Sequence, residues 1–430
     1  MRASEIIVEV VHPTEGRIGQ IPLTTSDYEL QPLFNATGTW KVRLPSDEPM
    51  ADVLRLPGSA LMATHQEYGL ILSGPMTKIT ESTTPEDPHG TVEFEGVCDN
   101  ILLKDRVAYP EPSNVNPTTQ TLSHDVRTGP VEQLLHDYVM ANCGPFAPAE
   151  RAIPNLSSLV REDDLSLVAP WPATGARGEV ITKRLRFPKL GEALGEMAAL
   201  AGLGFTVSRG PNGLDRRFIT YAVRDLRGLI RFDAENRNVS GQKVTVSAPT
   251  ATRVIVAGQG EMVDRKFLSV DSPESIASEG EWNRRIEQFM DQRNTNEDDE
   301  LNNAGKDEIE KGGTTIVGVQ IVPTEDSPMT FMRDWRVGDM VATTVHGQQV
   351  DAMVTGAVIR ADSNGFRVGA LLGDPTGFSY QTYVQRSLTQ VERRISNLER
   401  NDSYAQTFQQ VEAARAAQAE SDIYKIMGVF

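Results

Sequence analysis

Leu56-Pro57-Gly58-Ser59-Ala60-Leu61-Met62-Ala63, then Leu72-Ser73-Gly74-Pro75-Met76, then Thr91-Val92-Glu93-Phe94-Glu95-Gly96-Val97-Cys98-Asp99, form a pattern that returns far downstream. The second version runs Arg336-Val337-Gly338-Asp339-Met340-Val341, then Val354-Thr355-Gly356-Ala357-Val358, then Phe366-Arg367-Val368-Gly369-Ala370-Leu371-Leu372-Gly373-Asp374. Each reads as Gly, apolar strand, turn, strand with an internal Gly, loop, strand, Gly, Asp. The step from Gly58 to Gly74 nearly equals the step from Gly338 to Gly356. Glycine alone takes a bulge or tight bend without strain, so Gly58, Gly74, Gly96, Gly338, Gly356 and Gly373 read as matched barrel corners. Two unrelated β meanders would look similar at this level of detail. The sharper reading is a duplicated β-barrel.

Working outward, residues 1–112 read as the first barrel. Short runs such as Ile6-Ile7-Val8, Trp40-Lys41-Val42 and Val92-Glu93-Phe94 are broken by Gly, Pro, Asn and Asp, as in barrels and sandwiches. A Pro-, Ser-, Thr- and Asn-rich stretch then opens an α+β insert over 113–242. Within it, Pro130 to Asn142 predicts a helix with Leu134, Leu135, Tyr138 and Val139 on one face and Gly144 past its end. A second helix is expected from Lys189 to Ala201, followed by a hairpin through Phe205–Ser208 and Phe218–Ala222. Residues 243–278 and 312–375 are expected to form the second barrel, split by a charged helical insertion over 279–311. Residues 376–430 are expected to form a carboxy-terminal helix and coiled coil. The fold class is mainly β with α+β insertions.

The 430 residues carry 42 Lys plus Arg against 59 Asp plus Glu, a net charge of −17. This excludes a surface that as a whole attracts nucleic acid or anionic lipid. The two cysteines, Cys98 and Cys143, are too few for a disulfide framework or a four-cysteine zinc site and are expected to be free thiols in separate cores. The amino terminus lacks the apolar run of a signal peptide and reads as a strand. The stretch Leu194 to Phe205 is too short to span a bilayer. A soluble, intracellularly made, multidomain protein is expected, with no membrane insertion.

Signatures of chemistry are missing. Val254-Ile255-Val256-Ala257-Gly258-Gln259-Gly260 resembles the entry to a dinucleotide loop, but Val263 stands where the third glycine belongs. Gly305-Lys306 lacks the rest of a phosphate loop. The six histidines (12, 65, 89, 124, 136 and 346) are scattered. Asp163-Asp164 and Asp298-Asp299-Glu300 fit solvated loops or helix faces better than a calcium site. No catalytic, cofactor-binding or metal site is expected, and the chain is not expected to be an enzyme.

Val384, Leu388, Val391, Ile395 and Leu398 recur at alternating intervals of four and three. With Leu388 and Ile395 at a, the others fall at d, Glu399 at e and Arg394 at g: a coiled-coil seam. It is short and marginal alone. The alternative is an amphipathic helix packed on its own domain. Arg394-Ile395-Ser396-Asn397-Leu398-Glu399 matches the Arg-apolar-x-x-apolar-Glu motif of parallel trimeric coiled coils, so Val384, Leu388, Val391, Arg394, Ile395, Leu398 and Glu399 are the expected trimerisation residues.

The chain also resembles the tail-hub, or minor tail, proteins of long-tailed siphophages infecting actinobacteria. The resemblance covers roughly residues 5–375. It is carried by Gly38-Thr39-Trp40-Lys41-Val42-Arg43-Leu44-Pro45, Leu72-Ser73-Gly74, Gly96-Val97-Cys98-Asp99 running on to Arg106-Val107-Ala108-Tyr109-Pro110, a helix over Arg285 to Arg293, a helix over Asp299 to Ile309, and Asp334-Trp335-Arg336-Val337-Gly338-Asp339. It implies two tail-tube-like β-barrels per chain, as in the baseplate hubs of contractile tails. A homotrimer would present a pseudo-sixfold ring that closes the distal tail tube. The implied partners are the distal tail protein ring, the end of the tape-measure protein, and other minor tail, tip or receptor-binding proteins. Made in the host cytoplasm, it would sit at the virion's tail tip, with DNA passing through its lumen and no specific nucleic acid binding. The alternative is a trimeric tail-spike enzyme acting on host surface polysaccharide with an acidic pair as its carboxylates.

Overall fold

The computed structural model describes residues 5–373, apart from 23–25, 84–89, 162–167, 172–174, 234–238, 261–263, 294–296, 324–328, 346–347 and 363–364. The heptad residues Val384, Leu388, Val391, Arg394, Ile395, Leu398 and Glu399 lie outside the described residues, as do Asp163 and Asp164.

The first region contains β1 (Ile6–His12), β2 (Gly16–Gln20), β3 (Asp27–Gln31), β4 (Thr39–Pro45), α1 (Pro49–Leu54), β5 (Ala60–His65), β6 (Gly69–Ser82), β7 (Thr91–Val97) and the short α2 (Ile101–Lys104). The insert follows with β8 (Asp125–Pro130), α3 (Val131–Asn142), β9 (Leu156–Arg161), β10 (Val168–Pro170), β11 (Val180–Leu185), α4 (Leu190–Leu200), β12 (Leu203–Arg209) and β13 (Arg216–Ala222). Next come β14 (Arg231–Phe232), β15 (Val239–Ser247), β16 (Arg253–Ala257), β17 (Phe267–Val270), α5 (Pro273–Glu281), β18 (Glu287–Asp291) and α6 (Asp298–Gly312). The last described elements are β19 (Ile316–Pro323), β20 (Met340–Val345), β21 (Gln348–Asp362) and β22 (Gly365–Gly373).

Period-two patterning makes the strands. In β4, Trp40, Val42 and Leu44 point inward; in its neighbour β7, Val92, Phe94 and Gly96 do. Their register places Trp40 opposite Gly96, Val42 opposite Phe94 and Leu44 opposite Val92. The outer face carries charge, with Lys41 on Glu93 at 2.9 Å and Lys78 on Glu95 at 3.0 Å. Such exposed pairs contribute only about 0.2–1 kcal/mol each, so the buried face decides the register.

The repeat is present as a strand order. In the first copy the sheet runs β1-β5-β6-β7-β4-β3; in the second, β14-β20-β21-β22-β19-β15. Both have a long central strand, β6 of 14 residues and β21 of 15, and each has a register shift close to one of the repeated glycines, between Met76 and Lys78 opposite Gly96 and between Val354 and Gly356. The outermost pairing differs: β1 lies antiparallel to β5, whereas β14 lies parallel to β20.

Two tail-tube-like barrels per chain were expected, and no closed barrel is seen among the described strands. The copies join instead in a single 13-stranded sheet, through β3 against β21 with Leu30 opposite Ile359 and Tyr28 opposite Ala361. The reason is visible in the core, where Trp40, Val42 and Phe94 of the first copy share one apolar cluster with Trp335, Val354, Ile359 and Leu372 of the second.

The interruption of the second copy also differs from the expected helical segment. β16 and β17, expected in the second barrel, pair with β18 in a separate three-stranded sheet. Residues Arg285 to Arg293, expected as a helix, contain strand β18, whose inward Gln288 and Met290 alternate with outward Glu287, Phe289 and Asp291. Alternation of that kind suits a half-buried strand and not a helix face. This small sheet packs on α6 around Val254, Val256, Val270, Leu301 and Ile309. Ser272 starts α5 with a capping box: its Oγ accepts the Ser275 N–H at 3.1 Å, and the Ser275 Oγ accepts the Ser272 N–H at 2.9 Å.

In the insert, α3 and α4 pack on each other and on β12 and β13. Leu134, Leu135, Tyr138 and Val139 meet Leu190, Leu194 and Met197, and Phe205 and Phe218 complete the core. The sheet runs β10-β9-β13-β12, leaving β12 at its edge, and β8 pairs with β11 apart from it. That edge faces the large sheet. Among the described residues, no helix is long and apolar enough to cross a membrane.

Candidate functional site

The strands place four of the six repeated glycines around the connection between β3 and β4. At Gly96, a methyl group would collide with the indole of Trp40; at Gly74, with the backbone of Val97 and Cys98. Gly338 has φ +100° beside the Phe34 ring, a conformation L side chains rarely adopt, and Gly356 faces Leu33. Gly58, in the turn before β5, and Gly373, which pairs with Gly318 at the end of β22, lie away from this junction. The connection is tied to the end of β7: the Cys98 N–H donates to the Gly38 carbonyl at 2.8 Å, and the Gly38 N–H to Cys98 Sγ at 3.0 Å.

The edge of the insert docks here. Alternate N–H groups of an edge strand point outward and, when buried, need acceptors. Three side chains supply them in turn. Asn35 Oδ1 accepts the Phe205 N–H at 2.7 Å, Asn100 Oδ1 the Val207 N–H at 2.6 Å, and Ser73 Oγ the Arg209 N–H at 3.0 Å. The amide groups of the same asparagines donate to Leu203 O at 3.0 Å and Ala36 O at 2.7 Å. The Asn side chains thus extend the ladder from one sheet to the other.

Two buried carboxylates clamp the hairpin. Asp99, buried at the end of β7, accepts from Arg209 Nε at 3.2 Å and from Ser73 Oγ at 2.7 Å, and lies 3.6 Å from Arg216. Burial and the neighbouring Arg209 push the Arg216 guanidinium below its usual range, against the pull of Asp99. On the other side, Arg224 makes a two-pronged contact with Asp339, at 2.8 and 2.5 Å, and Asp339 also accepts the Arg336 N–H at 2.6 Å. Asp99 belongs to the first copy of the repeat and Asp339 to the second. Sequence reasoning missed Asn35, Asn100 and the arginines because each partner lies far along the chain; the Gly96-Val97-Cys98-Asp99 motif was the one available signal.

Inside the insert, His136 is fully buried, with Nδ1 2.5 Å from the Ser158 hydroxyl, Nε2 2.9 Å from Thr220, and its ring stacked on Trp171. Burial pushes it down to about 4, so the imidazole is neutral near pH 7. Thr220 in turn donates to Glu132 at 2.7 Å. Burial pushes Glu132 up, but its bonds from Arg177 and Thr220 outweigh this and hold the carboxyl below its usual range. The network pins α3 to β9 and β13. Among the described residues, no group of three or more His, Cys, Asp or Glu is placed to hold a metal ion. Asp298 is engaged with Lys266 at 2.6 Å.

Residues 7–374 match the family model of Siphovirus ReqiPepy6 Gp37-like proteins. The fold is similar to that of the 43 kDa tail protein of prophage MuSo2 from Shewanella oneidensis, at 12% identity and a TM-score of 0.53, over 87% of this chain and 99% of that one. A tail protein of Neisseria meningitidis is similar at 11% identity and a TM-score of 0.49, over 86% of this chain and 96% of that one. The prophage tail protein gp18 of Listeria monocytogenes is similar at 9% and 0.45, over 90% of this chain and 99% of that one. No curated protein matches this chain in sequence. With a mainly β fold like that of a prophage tail protein, and a family match over nearly all its described residues, the chain belongs to the Siphovirus ReqiPepy6 Gp37-like proteins.

Proposed function

We propose that the protein is a structural, non-enzymatic tail-hub subunit. Three chains form a homotrimer, and each copy of the repeat serves as one tube-like barrel unit, giving a pseudo-sixfold ring at the distal end of the tail tube. The observation that carries this reading is the shared strand order, β1-β5-β6-β7-β4-β3 and β14-β20-β21-β22-β19-β15, within one chain. A chain with two matched units converts threefold into near-sixfold symmetry, which is what a connector between a tube and a tip requires. The six glycines act as matched corners of the two units. The ring meets the distal tail protein and the tape-measure end on one side and tip or receptor-binding proteins on the other, and the DNA leaves through its lumen. The net charge of −17 per chain favours passage of phosphate over its retention. The protein resides in the virion at the tail tip. Antibody–gold labelling of intact particles tests the assignment: label at the tail tip supports it, and label confined to the head or the tail shaft overturns it.

A further inference from the structure

Between the insert's four-stranded sheet and the large sheet lies a cavity of about 470 Å³. Its floor is one face of β13, where Arg217, Ile219 and Tyr221 alternate with residues of the opposite face, together with Thr206 and Ser208 of β12 and Arg161 at the end of β9. The roof includes Leu33, Leu72 and Met332.

The charges on this floor do not balance. Arg161 and Arg217 have no carboxylate or hydrogen-bond partner for their guanidinium groups among the described residues. Nε of Arg161 is buried without an acceptor, its guanidinium lies over the Tyr221 ring at 5.3 Å, and burial pushes its pKa down. Among the described residues, the acids around the cavity are already committed: Asp99 to Arg209 and Arg216, Asp339 to Arg224, and Glu67 to the Tyr68 hydroxyl. A buried charge without a counter-charge is costly, and here positive charge is concentrated in a chain that is acidic as a whole. Guanidinium forks match carboxylate and phosphate oxygens, and the hydroxyls of Thr206 and Ser208 lie on the same floor.

We propose that this cavity binds an anionic ligand whose carboxylate or phosphate groups pair with Arg161 and Arg217. The same chemistry is offered by a free small anion and by acidic side chains of a neighbouring protein. The test is calorimetric titration of the full-length protein, at constant ionic strength, with inorganic phosphate, with citrate and with a tetraglutamate peptide. Saturable binding of at least one probe is expected, weakened tenfold or more in Arg161→Gln and in Arg217→Gln and unchanged in Arg285→Gln, which alters an exposed arginine paired with Glu287. Binding of phosphate or citrate alone identifies a free anion as the ligand; binding of the peptide alone identifies an acidic protein segment. Thermal unfolding without ligand supplies a second readout. Removing an uncompensated buried charge should raise the midpoint of Arg161→Gln or leave it unchanged, whereas a lowered midpoint means Arg161 is structural and overturns the proposal. No saturable binding of any probe to the wild type, or undiminished binding by Arg161→Gln and Arg217→Gln, also overturns it.

Discussion

His136 is where pH reaches the interior of the insert. Its value falls from 6.5 to about 4 on folding because burial disfavours the imidazolium. Between those values the unfolded chain binds a proton that the folded chain does not, so stability rises with pH across the window. It is complete above 6.5 and falls, as pH drops toward 4, by about 1.4 kcal/mol per unit at most. Glu132, whose folded value is held below its unfolded 4.5, contributes stability that begins to be lost only as pH falls to about 4.5, at the acid end of the histidine window. Urea unfolding at pH 7, 6, 5 and 4.5 should therefore show a slope that His136→Asn, which keeps a hydrogen-bonding side chain, reduces; an unchanged slope refutes the assignment. The thiols make a second case. Cys98 and Cys143 are free and buried, and desolvation pushes both up to about 12. A thiol reagent at pH 8 should label neither in the native protein and both in denaturant, because the thiolate is the reactive form; rapid native labelling would contradict this burial. Free thiols were legible from two cysteines in separate segments. The neutrality of His136 was not, because its partners Ser158, Thr220 and Trp171 come from three other places in the chain.

At the scale of elements, legibility followed the range of the interaction. Helices α3 and α4 and the β12–β13 hairpin declare themselves through local spacing, and they form close to where the spacing puts them. The shared sheet does not, because β3 meets β21 across most of the chain, and period-two patterning reports burial without naming the strand that provides it. β18 misreads as a helix for a related reason: a five-residue strand inside a charged stretch has too little alternation to outweigh its helix-forming residues. The docking of the hairpin yields a prediction. The Asp99 and Arg209 side chains are 1% and 4% exposed, so Asp99→Asn strands a buried guanidinium and should cost about 3–5 kcal/mol. Asp225→Asn, in an exposed pair with Arg227, should cost under about 1 kcal/mol. Hydrogen exchange should show residues 203–222 losing protection in the first variant and not in the second. Equal effects would mean that the Asn35 and Asn100 bonds hold the hairpin without help from the ion pair.

For the whole molecule, the open question is how chains associate. A parallel coiled coil over Val384 to Glu399 would bury Leu388 and Ile395 at a, and Val384, Val391 and Leu398 at d, only in the oligomer, with Arg394 and Glu399 bridging adjacent chains. Replacing a buried Ile or Leu by a charged residue forfeits about 2–5 kcal/mol per site in comparable cores, and threefold symmetry repeats the loss in every subunit. Ile395→Asp with Leu398→Asp should therefore abolish so short a seam, while Arg394→Ala should weaken trimer preference less. In the proposed ring the sheet-bearing regions also touch, so the double variant should be trimeric when concentrated and dissociate on dilution. Light-scattering mass over a dilution series for the wild type, the double variant and a truncation ending at Pro375 separates the two contributions. A wild-type mass of one chain at every concentration would sink the trimer altogether. Identical dissociation of all three proteins would keep the ring and assign the heptads to an amphipathic helix packed within its own chain.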